Sequence, residues 1–236
     1  MKIVPALMWR EWRIMFRSYI LYVVIYYLVI NGVIGYSMWS LISFGVRPGN
    51  LGTMLTNNST WFTLYAGGGF ILLSMLSSVI AKEKFSGQVH NLLAYGIPFS
   101  ILVLEKAIFV TLLSLAEIPV LAVMSLMLGF LGDGDSVLAF SGLLPVAVLV
   151  YPLLMLLISF LITLVNYIKP HLAQVAAVIA FACGFAILSY LRGLANLLLR
   201  VPNMAIYILP ATLLCLLLYV LLKTVDRVPN SVILNL

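Results

Sequence analysis

Polar and ionisable residues are concentrated between residues 81 and 106 of a chain that is otherwise strongly apolar. The apolar residues Val89, Leu92 and Leu93 lie among them with the i, i+3, i+4 spacing of one helix face. Polar groups at this density belong in water or against a soluble partner, because burying them without partners is costly. The candidate contact residues are Glu83, Lys84, Ser86, Gly87, Gln88, Val89, His90, Asn91, Leu92 and Leu93.

The spacing predicts a short helix over residues 86–95, with Ser86 as its N-cap and with Gly96 and Pro98 ending it. A helix of this length is not stable alone in water. Its apolar face needs a cover, which is either a soluble partner or the base of the protein's own helical bundle. Of these two covers, we favour the partner.

Glu117 is the second candidate, because it lies in an apolar run about 16 Å along a helix from Lys106. An ionisable side chain at membrane depth indicates a functional site. It would contact a cation, a proton or a polar substrate; the alternative is a protonated carboxyl group that only locks helix packing. The further substrate-path candidates are Tyr22, Tyr26 and Asn31. For the two tyrosines, plain helix packing is the favoured alternative.

Motifs for enzymatic chemistry are missing from the sequence. There is no H-E-x-x-H zinc motif, no pair of carboxylates within an apolar run and no serine–histidine constellation. A phosphate loop of the form G-x-x-x-x-G-K-[ST] is also missing, so the chain is not expected to hydrolyse ATP itself. Cys183 and Cys215 have no histidine or carboxylate near them in sequence, which argues against a metal site or a disulfide. We expect no cofactor in this chain.

The composition indicates which elements must position these residues. Of the 236 residues, 64% are hydrophobic and 8% are charged, and the mean hydropathy is +1.18. A soluble domain carries about 25% charged residues, so lipid is the expected solvent. At about 20 residues per span, residues 1–236 have room for six helices in a single domain. The net charge of +6 points to membrane orientation and not to nucleic-acid binding.

We therefore predict an all-α membrane protein with six transmembrane helices. The apolar runs place these spans at residues 19–42, 61–80, 107–131, 137–168, 172–190 and 204–222. The fourth run is longer than a bilayer requires, and we expect it to tilt or break near Pro145 or Pro152.

Two segments outside the spans are expected to lie in the membrane interface. Residues 1–18 combine basic and aromatic side chains on neighbouring faces, as an amphipathic interfacial helix does; an ordinary basic flank to the first span is the alternative. The interfacial candidates are Trp9, Arg10, Trp12, Arg13 and Arg17. Residues 191–203 carry Arg192, Asn196 and Arg200 at four-residue spacing, which predicts an outer interfacial or re-entrant helix before the sixth span.

The distribution of positive charge predicts the orientation. With six spans, ten lysines and arginines lie on the side of the N-terminus and the 81–106 segment, and three lie on the other side. The positive-inside rule makes the first side cytoplasmic. We expect a multi-pass protein of the plasma membrane with both termini in the cytoplasm.

The order of residues in the polar segment resembles the cytoplasmic loop of ABC-2-type transporter permeases, and the six-span layout is similar as well. The residues that carry this similarity are Glu83, Gly87, Leu92, Leu93, Pro98, Ser100 and Lys106. The resemblance implies that residues 86–95 form a cytoplasmic coupling helix between spans 2 and 3. This helix would dock on a separate ATPase subunit, which binds ATP and Mg. A dimer with a second permease copy or a paralogue is also implied.

The expected function is that of the membrane-spanning permease subunit of an ATP-driven exporter. The family and the aromatic spans suggest an amphipathic or hydrophobic substrate. Two other functions fit the sequence: a non-transporting subunit that transmits ATPase-driven motion to an outer partner through residues 191–203, and a stand-alone channel or secondary carrier that uses Glu117. The other expected partners are membrane lipids.

Overall fold

The structure is a computed structural model that describes residues 79–115, 146–180 and 203–227 continuously. It also describes single positions within residues 6–45, together with residues 77, 119, 123, 182, 183 and 186. No strand occurs in these parts of the chain, and most of their residues are helical. The all-α prediction is confirmed for them.

The polar segment contains three helices joined by tight turns. Residues 79–85 form α1, Gln88–Ala94 form α2 and Phe99–Ser114 form α3. Every described residue between Ala6 and Ser43, on the N-terminal side of this segment, is also helical.

The later part of the described chain contains three further helices. A π-helical turn at Val146–Val150 leads into α4, Tyr151–Ile168. A 3₁₀ turn at Pro170–Leu172 leads into α5, residues 173–180. The last helix, α6, is Asn203–Val225.

The end of α2 follows from its glycine. Gly96 has a φ of 77°, in the left-handed region that favours glycine. Its N–H donates to the Leu93 carbonyl at 3.0 Å, and the N–H of Ile97 donates to the Leu92 carbonyl at 3.2 Å. These two bonds are a Schellman ending, which satisfies carbonyls that the helix leaves free. The predicted ending at Gly96 and Pro98 is confirmed.

The predicted N-cap of α2 is wrong by one residue, and the helix begins at Gln88 instead of residue 86. Gly87, with a φ of 71°, occupies the N-cap position, and no side chain caps the helix. The Ser86 hydroxyl donates instead to the carbonyl of Glu83 at 3.2 Å, within the preceding turn. A serine hydroxyl in a turn can bond to a nearby backbone carbonyl instead of capping a helix. A serine in the sequence therefore does not by itself identify the N-cap position.

Helix α3 begins eight residues earlier than the third predicted span. Pro98 precedes its first turn, where the missing proline N–H removes no intrahelical bond. Lys106, predicted at the cytoplasmic opening of the span, lies well inside the helix and is fully buried. An apolar run in the sequence is interrupted at any lysine, including one that is buried in an ion pair. The prediction therefore starts the span after Lys106, although the helix begins at Phe99.

One apolar core contains buried residues from five helices, α1, α2, α3, α4 and α6. Phe99 of α3 packs edge-on against Tyr167 of α4, with the ring centroids 5.4 Å apart, and α3 runs along α4. The buried members of the core are Ile80, Val89, Phe99, Leu102, Val103, Ala107, Phe160, Tyr167 and Val225. Burying each of the larger side chains contributes about 1.5–3 kcal/mol. The core therefore holds the polar segment against the two long helices α4 and α6.

Two of the described helices, Val148–Ile168 and Ile208–Val225, are long and apolar enough to cross a membrane. They correspond to the fourth and sixth predicted spans. Within the first, 56% of the residues are buried, as in the core helix of a soluble protein; within the second, 6% are buried. Apolar side chains thus cover most of the surface of Ile208–Val225, which fits a helix that could cross a membrane. The six-span arrangement stays a prediction.

The irregularity that the sequence places near Pro152 is the π-helical turn. Pro152 lies in the first turn of α4, directly after Val146–Val150. A proline ring clashes with the carbonyl four residues earlier, and widening the preceding turn relieves this clash.

Candidate functional site

The carboxylate of Glu83 is the centre of a buried ionic cluster where α1, α3 and α4 meet. Lys106 Nζ lies 3.1 Å from Glu83 Oε2 and 3.2 Å from Oε1. The Tyr167 hydroxyl donates to Oε2 at 3.2 Å, and Arg10 Nη2 donates to Oε1 at 3.2 Å. Glu83, Lys106 and Tyr167 are all nearly inaccessible to solvent.

Charge in this cluster is balanced among its described members. Arg10 also lies 3.8 Å from Oε1 of Glu105, another buried carboxylate. Two basic and two acidic side chains are therefore close together inside the protein. Removing one partner of a buried ion pair costs about 3–5 kcal/mol, because the other charge is left without compensation. The cluster therefore favours one arrangement of the three helices and of the segment that carries Arg10.

Two further polar contacts fasten helix ends next to the cluster. Lys84 Nζ donates to the backbone carbonyl of Tyr167 at 2.6 Å, in the last turn of α4 where carbonyls lack helical partners. Partial burial lowers the pKa of Lys84 below its usual value. At the other end, Asp226 Oδ1 accepts the backbone N–H of Ser100 at 3.2 Å, in the first turn of α3.

The predicted contact residues of α2 divide into a buried and an exposed group. Val89 is buried in the core, and Leu92 and Leu93 pack partly against it. Within the described residues the base of the bundle lies against this apolar face; a soluble partner on its partly exposed part stays a prediction. The spacing identified the face correctly, but spacing alone does not show what lies against it.

The outward surface of the polar segment is a different set of side chains. Gln88, His90 and Asn91 of α2 are exposed, as are Lys82 and Ser86 before it. Gly87 and Lys84 are partly exposed. Glu83 is 4% exposed, so its side chain does not contact a partner directly in this arrangement. It holds the polar segment in place through its bonds to the neighbouring helices.

Two exposed aromatic residues, which the sequence reasoning missed, flank α2. Phe85 precedes it and Tyr95 follows it, and each is 85% exposed. Aromatic side chains are enriched in protein interfaces, so these two residues mark a candidate contact surface. The available signal was their position on either side of the predicted short helix. We call Phe85, Gln88, His90, Asn91 and Tyr95 the outward surface of α2.

The five predicted interfacial residues do not share one role. Trp9, Trp12, Arg13 and Arg17 are exposed, and the Arg13 guanidinium lies 5.9 Å from the Trp9 ring centroid. Trp12 also packs edge-on against Phe109 of α3, with the ring centroids 5.9 Å apart. Arg10, predicted as an interfacial residue, bonds to Glu83 instead, because a buried carboxylate competes successfully for the guanidinium.

Polar side chains follow one face of α4 above the ionic cluster. Ser159 and Thr163 are fully buried, and neither hydroxyl oxygen has a hydrogen-bond partner among the residues that the structure describes. One turn further, Asn166 Nδ2 donates to Ser77 Oγ at 3.1 Å. A buried hydroxyl without a partner costs about 1–3 kcal/mol. These two groups therefore require an explanation.

An apolar groove of about 590 Å³ lies between α4 and α6. It is open on one side, and its lining includes Leu149 and Leu153 on one wall and Ile208, Cys215 and Tyr219 on the other. The groove is shallow and wide open, so it offers an apolar surface and not an enclosed pocket. Both walls belong to the two helices that are long enough to cross a membrane.

Several predicted functional residues lie outside the described residues. These are Glu117, Tyr22, Tyr26, Asn31, Arg192, Asn196 and Arg200. The Leu113 carbonyl, four residues before Glu117 in the sequence, accepts a hydrogen bond from the Tyr27 hydroxyl at 2.6 Å, which joins the N-terminal helical region to α3.

Within the described ranges, no group of three or more histidine, cysteine, aspartate and glutamate side chains could hold a metal ion. Cys183 and Cys215 are both free thiols at exposed positions. Comparison with known proteins found no match: no family model, curated protein or solved structure is significantly similar to this chain.

Proposed function

We propose that the chain is the membrane-spanning permease subunit of an ATP-driven exporter of the ABC-2 type, in which a separate ATPase docks on α2. The chain crosses the membrane six times in this proposal, with α2 and both termini in the cytoplasm, and it pairs with a second permease. The resemblance of the 83–106 segment to such permeases motivates the proposal. The exposed apolar surface of Ile208–Val225 supports the membrane location.

The observation that carries the proposal is the two-sided character of α2. Its inner side is fixed to the bundle by Val89, while its other side exposes polar side chains between Phe85 and Tyr95. A helix fixed on one face and exposed on the other transmits force, because a partner can push on it without separating it from the bundle. The partner therefore contacts the outward surface of α2 and not its leucine pair.

The ionic cluster gives that force a route into the long helices. Glu83, five residues before α2, is joined to Lys106 of α3 and to Tyr167 of α4. Displacement of α2 by a closing ATPase then moves α3 and α4 with it as one body, as in rigid-body transitions of other proteins. The groove between α4 and α6 matches an amphipathic or hydrophobic substrate in its lining.

The test is purification of the tagged chain from its native membranes, followed by identification of bound subunits and by a vanadate-sensitive ATPase assay. The variant His90→Glu/Tyr95→Ser changes two exposed side chains and should reduce bound ATPase at least tenfold. His171→Glu is the matched control, because His171 is exposed in the turn after α4. The proposal fails if no subunit with a phosphate-binding loop is bound, or if the double variant retains it.

The stand-alone carrier and the non-transporting subunit are separated by transport measurements in proteoliposomes. A carrier that uses Glu117 would move substrate without ATP and would lose activity in Glu117→Gln. In the proposed exporter, transport requires the ATPase and ATP. A non-transporting subunit hydrolyses ATP in the complex but moves no substrate in either case.

A further inference from the structure

The hydroxyl groups of Ser159 and Thr163 lie on one face of α4, about 6 Å apart along the helix axis. Both side chains are fully buried, and neither hydroxyl oxygen has a hydrogen-bond partner within the described part of the chain. Most buried polar side-chain atoms in proteins have a partner, which is either protein or ordered water.

The neighbouring helix shows how such hydroxyls are usually satisfied. Thr111 Oγ1 donates to the Ala107 carbonyl at 2.8 Å, and Ser114 Oγ donates to the Val110 carbonyl at 2.9 Å. This bond to the carbonyl four residues earlier is open to any serine or threonine in a helix. Ser159 and Thr163 do not make it, so their hydroxyl groups are directed elsewhere.

The same face of α4 continues toward the ionic cluster with more polar groups. Asn166, one turn beyond Thr163, is buried and donates to Ser77. Tyr167, in the same turn, donates to Glu83. The four α4 residues are spaced i, i+4, i+7 and i+8, so they share one face of the helix. We call this face the polar seam of α4.

We propose that Ser159 and Thr163 bind ordered water, which extends the polar seam of α4 from Asn166 and Tyr167 into the middle of the helix. Water fits because it both donates and accepts, as the two hydroxyls do. A cation fits less well, since Lys106 and Arg10 already compensate Glu83 at the end of the seam. At about one buried water per 27 residues, a protein of this length holds roughly nine, so two or three here are ordinary in number.

This site does not depend on the proposed ATPase partner. It places water against one face of α4, a helix whose other faces are mostly apolar. The water lies on the same face as Tyr167, which contacts the buried ion pair of Glu83 and Lys106. The seam therefore hydrates the interior side of the ionic cluster.

The test is the reactivity of single cysteines toward the silver ion, which reaches small hydrated sites and combines with the thiolate. A thiol surrounded only by apolar atoms stays protonated, whereas one in contact with water ionises more readily. Ser159→Cys and Thr163→Cys are made in a Cys183→Ala/Cys215→Ala background, and the remaining free thiol is titrated after unfolding. Val103→Cys is the matched dry control, because Val103 is fully buried in the apolar core. Gln88→Cys is the exposed control.

We expect silver to block Cys at 159 and 163 at least tenfold faster than at 103. Blocking at the rate of the Val103→Cys control would overturn the proposal. A second measurement applies if a cysteine variant does not fold. Ser159→Ala and Thr163→Val should each lower the unfolding temperature by about 2–4 °C when bound water loses a partner. A rise in unfolding temperature would mean that the hydroxyls were simply unsatisfied, and it would also refute the water site.

Discussion

Asp226 accepts a hydrogen bond from the backbone N–H of Ser100, so a residue at the end of α6 caps the first turn of α3. The acceptor and the donor are 126 positions apart in the chain. A carboxylate at a helix start satisfies a free N–H and interacts favourably with the helix dipole. This contact joins α6 to the polar segment, in addition to the packing of Val225 in the apolar core.

Loss of this cap should destabilise the protein by about 0.5–2 kcal/mol. We expect Asp226→Ala to lower the unfolding temperature in detergent, measured by circular dichroism. Asp226→Ser keeps a capping oxygen and should recover part of the loss, while Arg227→Ala, at the exposed neighbour, should have no effect. Equal unfolding temperatures for Asp226→Ala and the unaltered protein would mean that the cap contributes nothing.

The ion pair of Glu83 and Lys106 should show strong coupling. Glu83→Gln and Lys106→Met should each destabilise the protein by about 3–5 kcal/mol, because each leaves one buried charge without its partner. The double variant should cost clearly less than the sum, since it removes both charges. Denaturant unfolding of the four proteins gives the coupling energy of this cycle. Additive losses would show that the two side chains do not interact.

Lys84 predicts a dependence of stability on alkaline pH. Burial lowers the pKa of Lys84 in the folded protein, so between that value and the usual 10.5 the unfolded chain binds more protons. Stability from this group therefore rises with pH through that interval. Lys84→Arg stays charged throughout and lacks this gain. We expect the difference in unfolding free energy between the two proteins to shift in favour of lysine as the pH rises toward 10.5. A pH-independent difference contradicts the assignment.

The seating of α2 on the bundle can be tested with one acidic substitution on each of its faces. Val89→Asp buries an unpaired charge and should destabilise the folded protein by several kcal/mol, whereas Gln88→Asp should change its stability by less than about 0.5 kcal/mol. Monodispersity on size-exclusion chromatography and the unfolding temperature report the difference. If both variants are equally stable, α2 is not packed on the core.

Local features of the site were predictable from the sequence, and long-range pairings were not. The helix end at Gly96 follows from glycine chemistry and needs no tertiary information. What covers Val89 cannot be predicted without tertiary information, because the sequence of an apolar helix face is the same whether a partner or the protein's own bundle packs on it. The burial of Lys106 depends on Glu83, which is 23 residues away and has no distinctive spacing to it.

Arg10 is a second residue whose long-range pairing the sequence does not predict. The sequence predicts Arg10 in the membrane interface together with Arg13 and Arg17. The guanidinium instead bonds to Glu83, 73 positions further along the chain. Helical periodicity gives the face of the helix from which a side chain starts. It does not give the position of the charged end of a long, flexible side chain when a buried group nearby binds it.

The partners of Glu83 also imply an order of events during biosynthesis. Of its three partners in the ionic cluster, Arg10 alone is translated before Glu83; Lys106 follows 23 residues later and Tyr167 84 residues later. Chains emerge from the ribosome N-terminus first, at about 5–20 residues per second. A nascent chain can therefore neutralise this carboxylate with Arg10 for several seconds before the permanent arrangement exists. Variants of Arg10 should consequently reduce the yield of inserted protein more than the stability of the protein that matures.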